Sequence, residues 1–299
     1  MKKVQILMST FNGEKYLREQ LDSILSQDYS DISLLIRDDG SSDDTIGIIR
    51  EYSDADSRVS YYQGSNLGAK NSFFDLMLHA DNLCDYYALS DQDDVWSKNK
   101  ISEAVKKVSA EEGIPILYCS KPLLVDQKLN PLMTTIKKAN ISPDFGNALV
   151  ENINTGCTCL FNKELLELVK GHIPEYTVMH DWWLYLSASA FGKVIYDENS
   201  YIYYRQHENN VIGSKSTYFD EFAGRLRNYR KHRGQLRKQV MEFQRLYQTD
   251  QEREQMMLTL IKAKSNFFFR WKIFFGNRIY RQRKIDNLIF KFLFLFGQI

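Results

Sequence analysis

The chain has four cysteines, and no two of them stand at the C-x-x-C spacing of a zinc or redox site. Cys84, Cys119, Cys157 and Cys159 fall instead in strand-like apolar segments, the pattern of reduced core residues in a cytosolic protein. A long apolar run is missing at the amino terminus, where Met1-Lys2-Lys3-Val4-Gln5-Ile6-Leu7-Met8 turns polar at Ser9. That is too soon for a signal peptide or a membrane span, and the segment reads as a first strand. Net charge is also nearly absent, at a formal +1, yet the balance joins unlike parts. From Arg225 onward there are 18 Lys/Arg against 5 Asp/Glu, whereas the first 224 residues carry 21 against 33. An acidic body thus carries a basic tail. At 299 residues the chain suffices for one large domain, or for one domain plus a helical appendage.

What is present is alternation. Val4 to Met8 reads as a strand, and Asn12 as the cap of a helix with Glu14 in its first turn and Leu17, Leu21, Ile24 and Leu25 on one face. Ile32 to Ile36 is a second strand, running into the tight turn Arg37-Asp38-Asp39-Gly40-Ser41 and a helix carrying Ile46, Ile49 and Tyr52. Val59 to Tyr62, a helix from Ser72 to Ala80, and the aromatic run Asp85 to Leu89 repeat the unit. After a helix over Ser97 to Val108, Ile116 to Cys119 completes a half suited to holding a nucleotide. Strands alternating with helices in this way argue for an α/β, doubly wound, mostly parallel sheet.

The following half is less regular. Lys121 to Asp126 is a possible strand, and Asn130 to Asp144 reads as loop. Asn154 to Phe161 reads as one strand, Glu164 to Val169 as a helix, His180 to Ala190 as another, and Tyr201 to Tyr204 as a last strand. The organisation expected is a catalytic unit over 1–214, divided near 120 into nucleotide and acceptor halves, and a basic, aromatic-rich helical region over 215–299 with its helical period running from Phe222 to Tyr247.

One stretch concentrates the chemistry. In Tyr86-Tyr87-Ala88-Leu89-Ser90-Asp91-Gln92-Asp93-Asp94-Val95-Trp96 an apolar strand ends in three carboxylates within four residues, at the edge where open α/β sheets bind ligands. Taken alone the pattern also fits an acidic loop that caps the next helix. In a desolvated cleft these carboxylates call for a cation, and hard oxygen ligands suit Mg(II) or Mn(II), commonly shared with phosphate. Ser9 to Asn12 and Asp38 to Ser41 converge on the same edge. Phe11 can stack on a base, and Asp39 can accept from a base imide N–H.

Together the motifs Met8-Ser9-Thr10-Phe11-Asn12-Gly13, Arg37-Asp38-Asp39-Gly40-Ser41, Asp91-Gln92-Asp93-Asp94, Asn154-Thr155-Gly156 and His180-Asp181-Trp182-Trp183, in this order over residues 4 to 212, resemble the inverting family 2 glycosyltransferases of GT-A fold. The wording around them is most similar to bacterial rhamnosyltransferases of cell-wall polysaccharide assembly. The resemblance implies that Ser9, Phe11, Asp38 and Asp39 hold the nucleotide, that Asp91 lies near the ribose, and that Asp93 binds Mn(II) or Mg(II) on the diphosphate. It implies Asp181 as general base, His207 as a further metal or diphosphate ligand with Asn210 close behind, and Arg205 as a second phosphate contact. Phe11 stands where the family usually has Tyr, and His180-Asp181 where it more often has Glu-Asp.

The partners implied are a nucleotide-sugar donor, dTDP-L-rhamnose or a UDP-sugar, and a lipid-linked glycan acceptor. Phe267 to Phe275 and Leu288 to Phe296 are too short or too charged to span a bilayer easily and suit an anionic membrane surface on the cytoplasmic side, or else packing on the catalytic unit or a homodimer contact. No nucleic-acid motif accompanies the basic tail. A catalytically silent nucleotide-sugar-binding scaffold, a phosphatase and a nucleotidyltransferase stay open on the residues alone.

Overall fold

The computed structural model describes residues 2–111, 113–132, 141–206 and 234–298. Its main sheet has seven strands. β1 (Val4–Thr10) lies between β2 (Ile32–Asp38) and β4 (Tyr86–Ser90), all parallel, and β3 (Val59–Gln63) adds to the outer side of β2. The order continues from β4 through β8 (Leu160–Asn162) and β6 (Ile116–Ser120) to β9 (Lys193–Asp197). β8 is antiparallel to both its neighbours, while β9 is parallel to β6. The sheet is therefore mostly parallel, with one reversed strand inside it.

Both faces are covered, which explains the near-continuous apolar strands. Along β1, Leu7 joins an apolar layer with Tyr87, Phe161 and Trp183, whereas Val4, Ile6 and Met8 join the other with Leu21, Ile48 and Val105. The first layer is closed by α3 (Gly68–His79), α6 (Lys163–Lys170) and α7 (His180–Phe191), and the second by α1 (Leu17–Leu25), α2 (Thr45–Ala55) and α4 (Lys100–Val108).

A small second sheet sits beside the carboxyl edge. β10 (Ile202–Arg205) runs antiparallel to β5 (Val95–Trp96) and parallel to β7 (Leu123–Val125). It bridges the start of the second half to the strand that leaves the acidic loop.

The carboxyl-terminal helices share the core of the α/β body. α8 (Gln235–Leu246) places Phe243 5.3 Å from Trp183, edge to face, and Tyr247 packs on Phe191. α9 (Gln251–Lys262) buries Met257 and Leu260 in the same layer, and α10 (Phe267–Phe275) and α11 (Lys284–Leu295) follow as a hairpin. The boundary expected at residue 214, and the Phe222 to Tyr229 part of the expected helix, lie outside the described residues.

Three local expectations need correction. Asn12 does not cap α1; it holds φ +49°, and its side-chain oxygen accepts from Ser42 N at 2.8 Å, so the helix starts only at Leu17. Asn154 to Phe161 is not one strand. Thr158 N bonds back to Thr155 O at 2.8 Å, forming a 3₁₀ turn over Gly156–Thr158 before the short strand β8. The strand β9, with a lysine and an aspartate at its ends, has no counterpart in the sequence reading.

Candidate active site

The registers set Thr10 of β1 level with Asp38 of β2 and Met8 level with Ser90 of β4, so three loops leave the same edge of the sheet side by side. At the first, Ser9 Oγ lies 2.6 Å from Ser72 Oγ of α3. Phe11 has its backbone held from both sides: its N–H donates to Gln92 Oε1 at 2.8 Å, and Gln92 Nε2 donates to its carbonyl at 3.0 Å. A Cβ at Gly13 would come within 2.2 Å of that Gln92 oxygen, so the bridge requires glycine there. The Phe11 ring itself is 44% exposed, an aromatic face on a fixed backbone.

The second loop is rich in internal hydrogen bonds. Asp38 accepts from Thr10 Oγ1 at 3.1 Å, from the N–H groups of Gly40 and Ser41 at 3.1 and 2.9 Å, and from Ser41 Oγ. Gly40 makes this turn at φ +84°, a region glycine enters without penalty. Asp39 accepts from Arg37 and, at 2.8 Å each, from Leu67 N and Gly68 N. Arg37 also donates to Asp75 at 2.8 Å and to Ser65 O at 3.0 Å. All three residues of Arg37-Asp38-Asp39 are buried. Asp38 thus builds its own turn, and Asp39 ties that turn to the segment before α3.

The third loop is different. Asp94 is fully buried; Oδ1 accepts from Arg205 N at 3.1 Å, and Oδ2 has no hydrogen-bond partner among the described residues. Burial, with the charges of Asp93 and Asp91, holds its carboxyl well above the usual range. Asp91 is pushed up to about 7 by burial, then by Asp93 and Asp181. The Sγ of Cys157, delivered by the 3₁₀ turn, lies within 4.8 Å of oxygens of both Asp91 and Asp94. Burial raises that thiol well above its ordinary value, so it stays protonated beside the carboxylates. Lys100 stands behind, 2% exposed, with its ammonium 3.6 Å from the centre of the Trp96 ring and its pKa brought down to about 8 by burial.

Asp181 lies in the first turn of α7, where the helix dipole favours a carboxylate. Its oxygens accept from Trp182 N at 2.7 Å and Gly156 N at 3.2 Å. Burial nevertheless raises it to about 6. Gly156, whose N–H donates to Asp181, and Cys157, which neighbours Asp91 and Asp94, are consecutive, so the 3₁₀ turn and α7 bring the candidate base up to the acidic loop. His180 is stacked on Phe73 at 4.2 Å, and neither ring nitrogen has a hydrogen-bond partner among the described residues. Burial lowers it to about 3, which leaves a neutral packing residue.

Arg205, expected at phosphate, is engaged with protein groups. Its guanidinium donates to Asp93 O at 2.8 Å, to Gln127 O at 2.5 Å and to Glu19 at 2.5 Å, and it lies over the Tyr16 ring. At 2% exposed and with these partners engaged, it braces the acidic loop from beneath. His207 and Asn210 lie outside the described residues. Ser9, Phe11, Asp38, Asp39, Asp91, Asp93 and Asp181 do share one edge. Gln92, Cys157 and Lys100 were missed; Gln92 was visible as the one amide inside the acidic run, whereas nothing local marks the other two.

The donor set fits a divalent cation. Carboxylates are crowded together, and one buried oxygen lacks a donor, an arrangement relieved by a hard positive charge. Comparison with known proteins bears on the reaction. Residues 5–169 match the model of glycosyl transferase family 2. Over 244 residues the chain is 32% identical to the dTDP-rhamnosyl transferase RfbG of Shigella flexneri, covering 75% of this chain and 81% of that one. Its fold is similar to that of Staphylococcus aureus TarS 1-349 in complex with UDP-GlcNAc, with a TM-score of 0.61 at 18% identity over 92% of this chain and 73% of the other. It is also similar to the mannosyltransferase PcManGT of Pyrobaculum calidifontis in complex with GDP-Man and Mn2+, with a TM-score of 0.57 at 16% identity over 90% and 71%.

Proposed function

The chain belongs to glycosyl transferase family 2 and has the GT-A fold, and from that premise we propose an inverting, metal-dependent transferase that moves L-rhamnose from dTDP-L-rhamnose to a lipid-linked polysaccharide precursor at the inner face of the cell membrane. The observation that carries this reading is the 3₁₀ turn that links Asp181 to the acidic loop: Gly156 N donates to Asp181 at 3.2 Å, and the next residue, Cys157, has its Sγ within 4.8 Å of oxygens of Asp91 and Asp94.

Each residue then has a task. Phe11 offers its exposed ring to the base from a backbone that cannot shift. Asp39 has three donors on a carboxylate that can take roughly four, leaving one direction for a base N–H. Ser9 and Asp38 shape the floor of that pocket. Asp91 and Asp93, both partly exposed, would hold Mn(II) or Mg(II), with the buried Asp94 behind them. Bound there, the metal neutralises charge developing on the departing nucleoside diphosphate.

Asp181 takes the proton of the acceptor hydroxyl as that oxygen attacks the anomeric carbon. Its raised pKa lies close enough to neutrality for the carboxylate to be both available and basic, and such help is typically worth about 10²–10⁴ in rate. The test is product identity. Purified protein is given dTDP-L-rhamnose, UDP-hexoses and GDP-mannose with Mn(II) or Mg(II) and a lipid-linked acceptor. Release of dTDP with growth of the acceptor is expected. Release of UDP from a UDP-hexose instead would overturn the donor assignment, and release of pyrophosphate or inorganic phosphate would overturn glycosyl transfer itself.

A further inference from the structure

The outer face of the α10–α11 hairpin is apolar along both helices. On α10, Phe267, Phe268, Trp271 and Phe275 are 57, 69, 43 and 69% exposed, while Ile273 on the opposite side is buried. On α11, Ile285, Leu288, Phe292 and Phe296 are 69, 55, 44 and 67% exposed, and Phe290 and Phe294 face inward. These spacings of three and four residues put each exposed set on one stripe. Eight of the sixteen exposed large hydrophobic residues of the described chain lie in this hairpin, so the patch is not the ordinary scatter of a soluble surface.

The patch is ordered. Trp271 stacks on Phe275 at 4.9 Å, and Phe274 meets Phe292 edge to face at 5.2 Å, which joins the two helices. It is also cationic at its margin. Lys264, Lys272 and Lys284 are exposed, and Asp286 is the one acidic residue after Glu254. The helices have nine and twelve residues, roughly 14 and 18 Å, against a hydrocarbon core of about 30 Å. No helix among the described residues is long and apolar enough to cross a membrane.

We infer that this face is a membrane-docking surface, lying in the plane of an anionic bilayer with its aromatic stripe among the acyl-chain ends and its lysines at the headgroups. Charge decides the occupant. A second copy seated on the same face would set lysines and arginines against their like with one aspartate per chain to offset them, whereas anionic headgroups offset them all. The surface is firmly tied to the body: Tyr280 Oη donates to Asp144 at 2.8 Å, Gln282 N donates to Glu151 at 2.6 Å, and Arg281 pairs with Glu151. The same segment supplies Ala148 O to Trp182 Nε1 at 2.7 Å, next to Asp181. The inference rests on the proposed lipid-linked acceptor only for its purpose, since the surface itself needs no substrate.

The experiment is flotation of the full chain, without donor or acceptor, with vesicles of phosphatidylcholine alone and of phosphatidylcholine with phosphatidylglycerol. Binding to the anionic vesicles, weakened by salt, is expected. The variant F268S/F275S/L288S, altered only at exposed positions, should lose at least about tenfold in partitioning, and K264E/K272E/K284E should lose the preference for anionic lipid. Circular dichroism and turnover of a water-soluble acceptor should be unchanged in both. No binding by the unaltered chain, or equal binding by the serine variant, would overturn the inference; so would a concentration-dependent dimer that the serine substitutions abolish while flotation is absent. Failure here with intact transfer to the soluble acceptor leaves the proposed reaction standing, and loss of transfer with intact flotation does the reverse.

Discussion

Two acidic turns stand side by side at the carboxyl edge of the sheet and use the same residue in opposite ways. At Asp38-Asp39 each carboxylate is surrounded by donors from its own chain, through Thr10, Ser41, Arg37 and the amides of Gly40, Leu67 and Gly68. At Asp91 to Asp94 few donors are supplied, one buried oxygen has none, and burial pushes the carboxyls up. The first turn is architecture that the protein completes but for one acceptor direction of Asp39; the second is a charge distribution that a ligand completes. A cluster of aspartates therefore says little until its hydrogen bonds are counted.

Substitutions should separate the two. The largest effect is expected at Asp181, which belongs with the second turn. Asp181→Asn should cut turnover by about 10²–10⁴, with donor binding by calorimetry unchanged; retention of more than half the activity removes it as the base. In the unaltered enzyme the ionised form is the active one, so turnover should rise with pH through about 6, the value to which burial raises Asp181, and the pH profile checks this limb.

At the first turn the loss should appear in folding instead. Arg37→Leu leaves Asp39 and Asp75 without their buried partner and should cost about 3–5 kcal/mol in urea unfolding, before any question of chemistry arises. If the variant is as stable as the parent but inactive, the contrast between the turns is wrong. Phe11→Ala is intermediate: its exposed ring has no structural duty, so stability should hold while donor affinity falls by about 1–3 kcal/mol, read as KM for the donor.

The smallest effect concerns pH and stability without metal. The folded pKa of Asp91, about 7, lies above its ordinary value of 3.8, so the folded state binds the proton more tightly than the unfolded one. Its stabilising contribution is present below about pH 4 and is lost as pH rises towards 7. Asp91→Asn has no such loss, so in EDTA its melting temperature should overtake the parent's across that interval by a few degrees at most. Parallel melting curves at all pH values would break the comparison from the other side.

Much of this was legible beforehand. β1, β2 and β4 are buried on both faces and so spell continuous apolar runs, and the three polar loops follow them in sequence as they do in space. Arg205 was illegible because its partners, Glu19 and Gln127, are remote in sequence, and a motif cannot say whether an arginine's donors are already taken. Cys157 was illegible for another reason: read as part of one strand, Asn154 to Phe161 gives no hint of the 3₁₀ turn that swings the thiol to the carboxylates. The antiparallel insertion of β8 likewise follows from tertiary pairing with β4 and β6, which three residues of local preference do not encode.

The amide of Gln92 grips both peptide groups of Phe11 while its own backbone lies between Asp91 and Asp93. The span from the base-stacking ring to the acidic loop is thereby made a fixed length, a gauge closed by two hydrogen bonds. On the proposed reaction, the ring that stacks on the base and the loop that holds the metal cannot separate without breaking those two bonds.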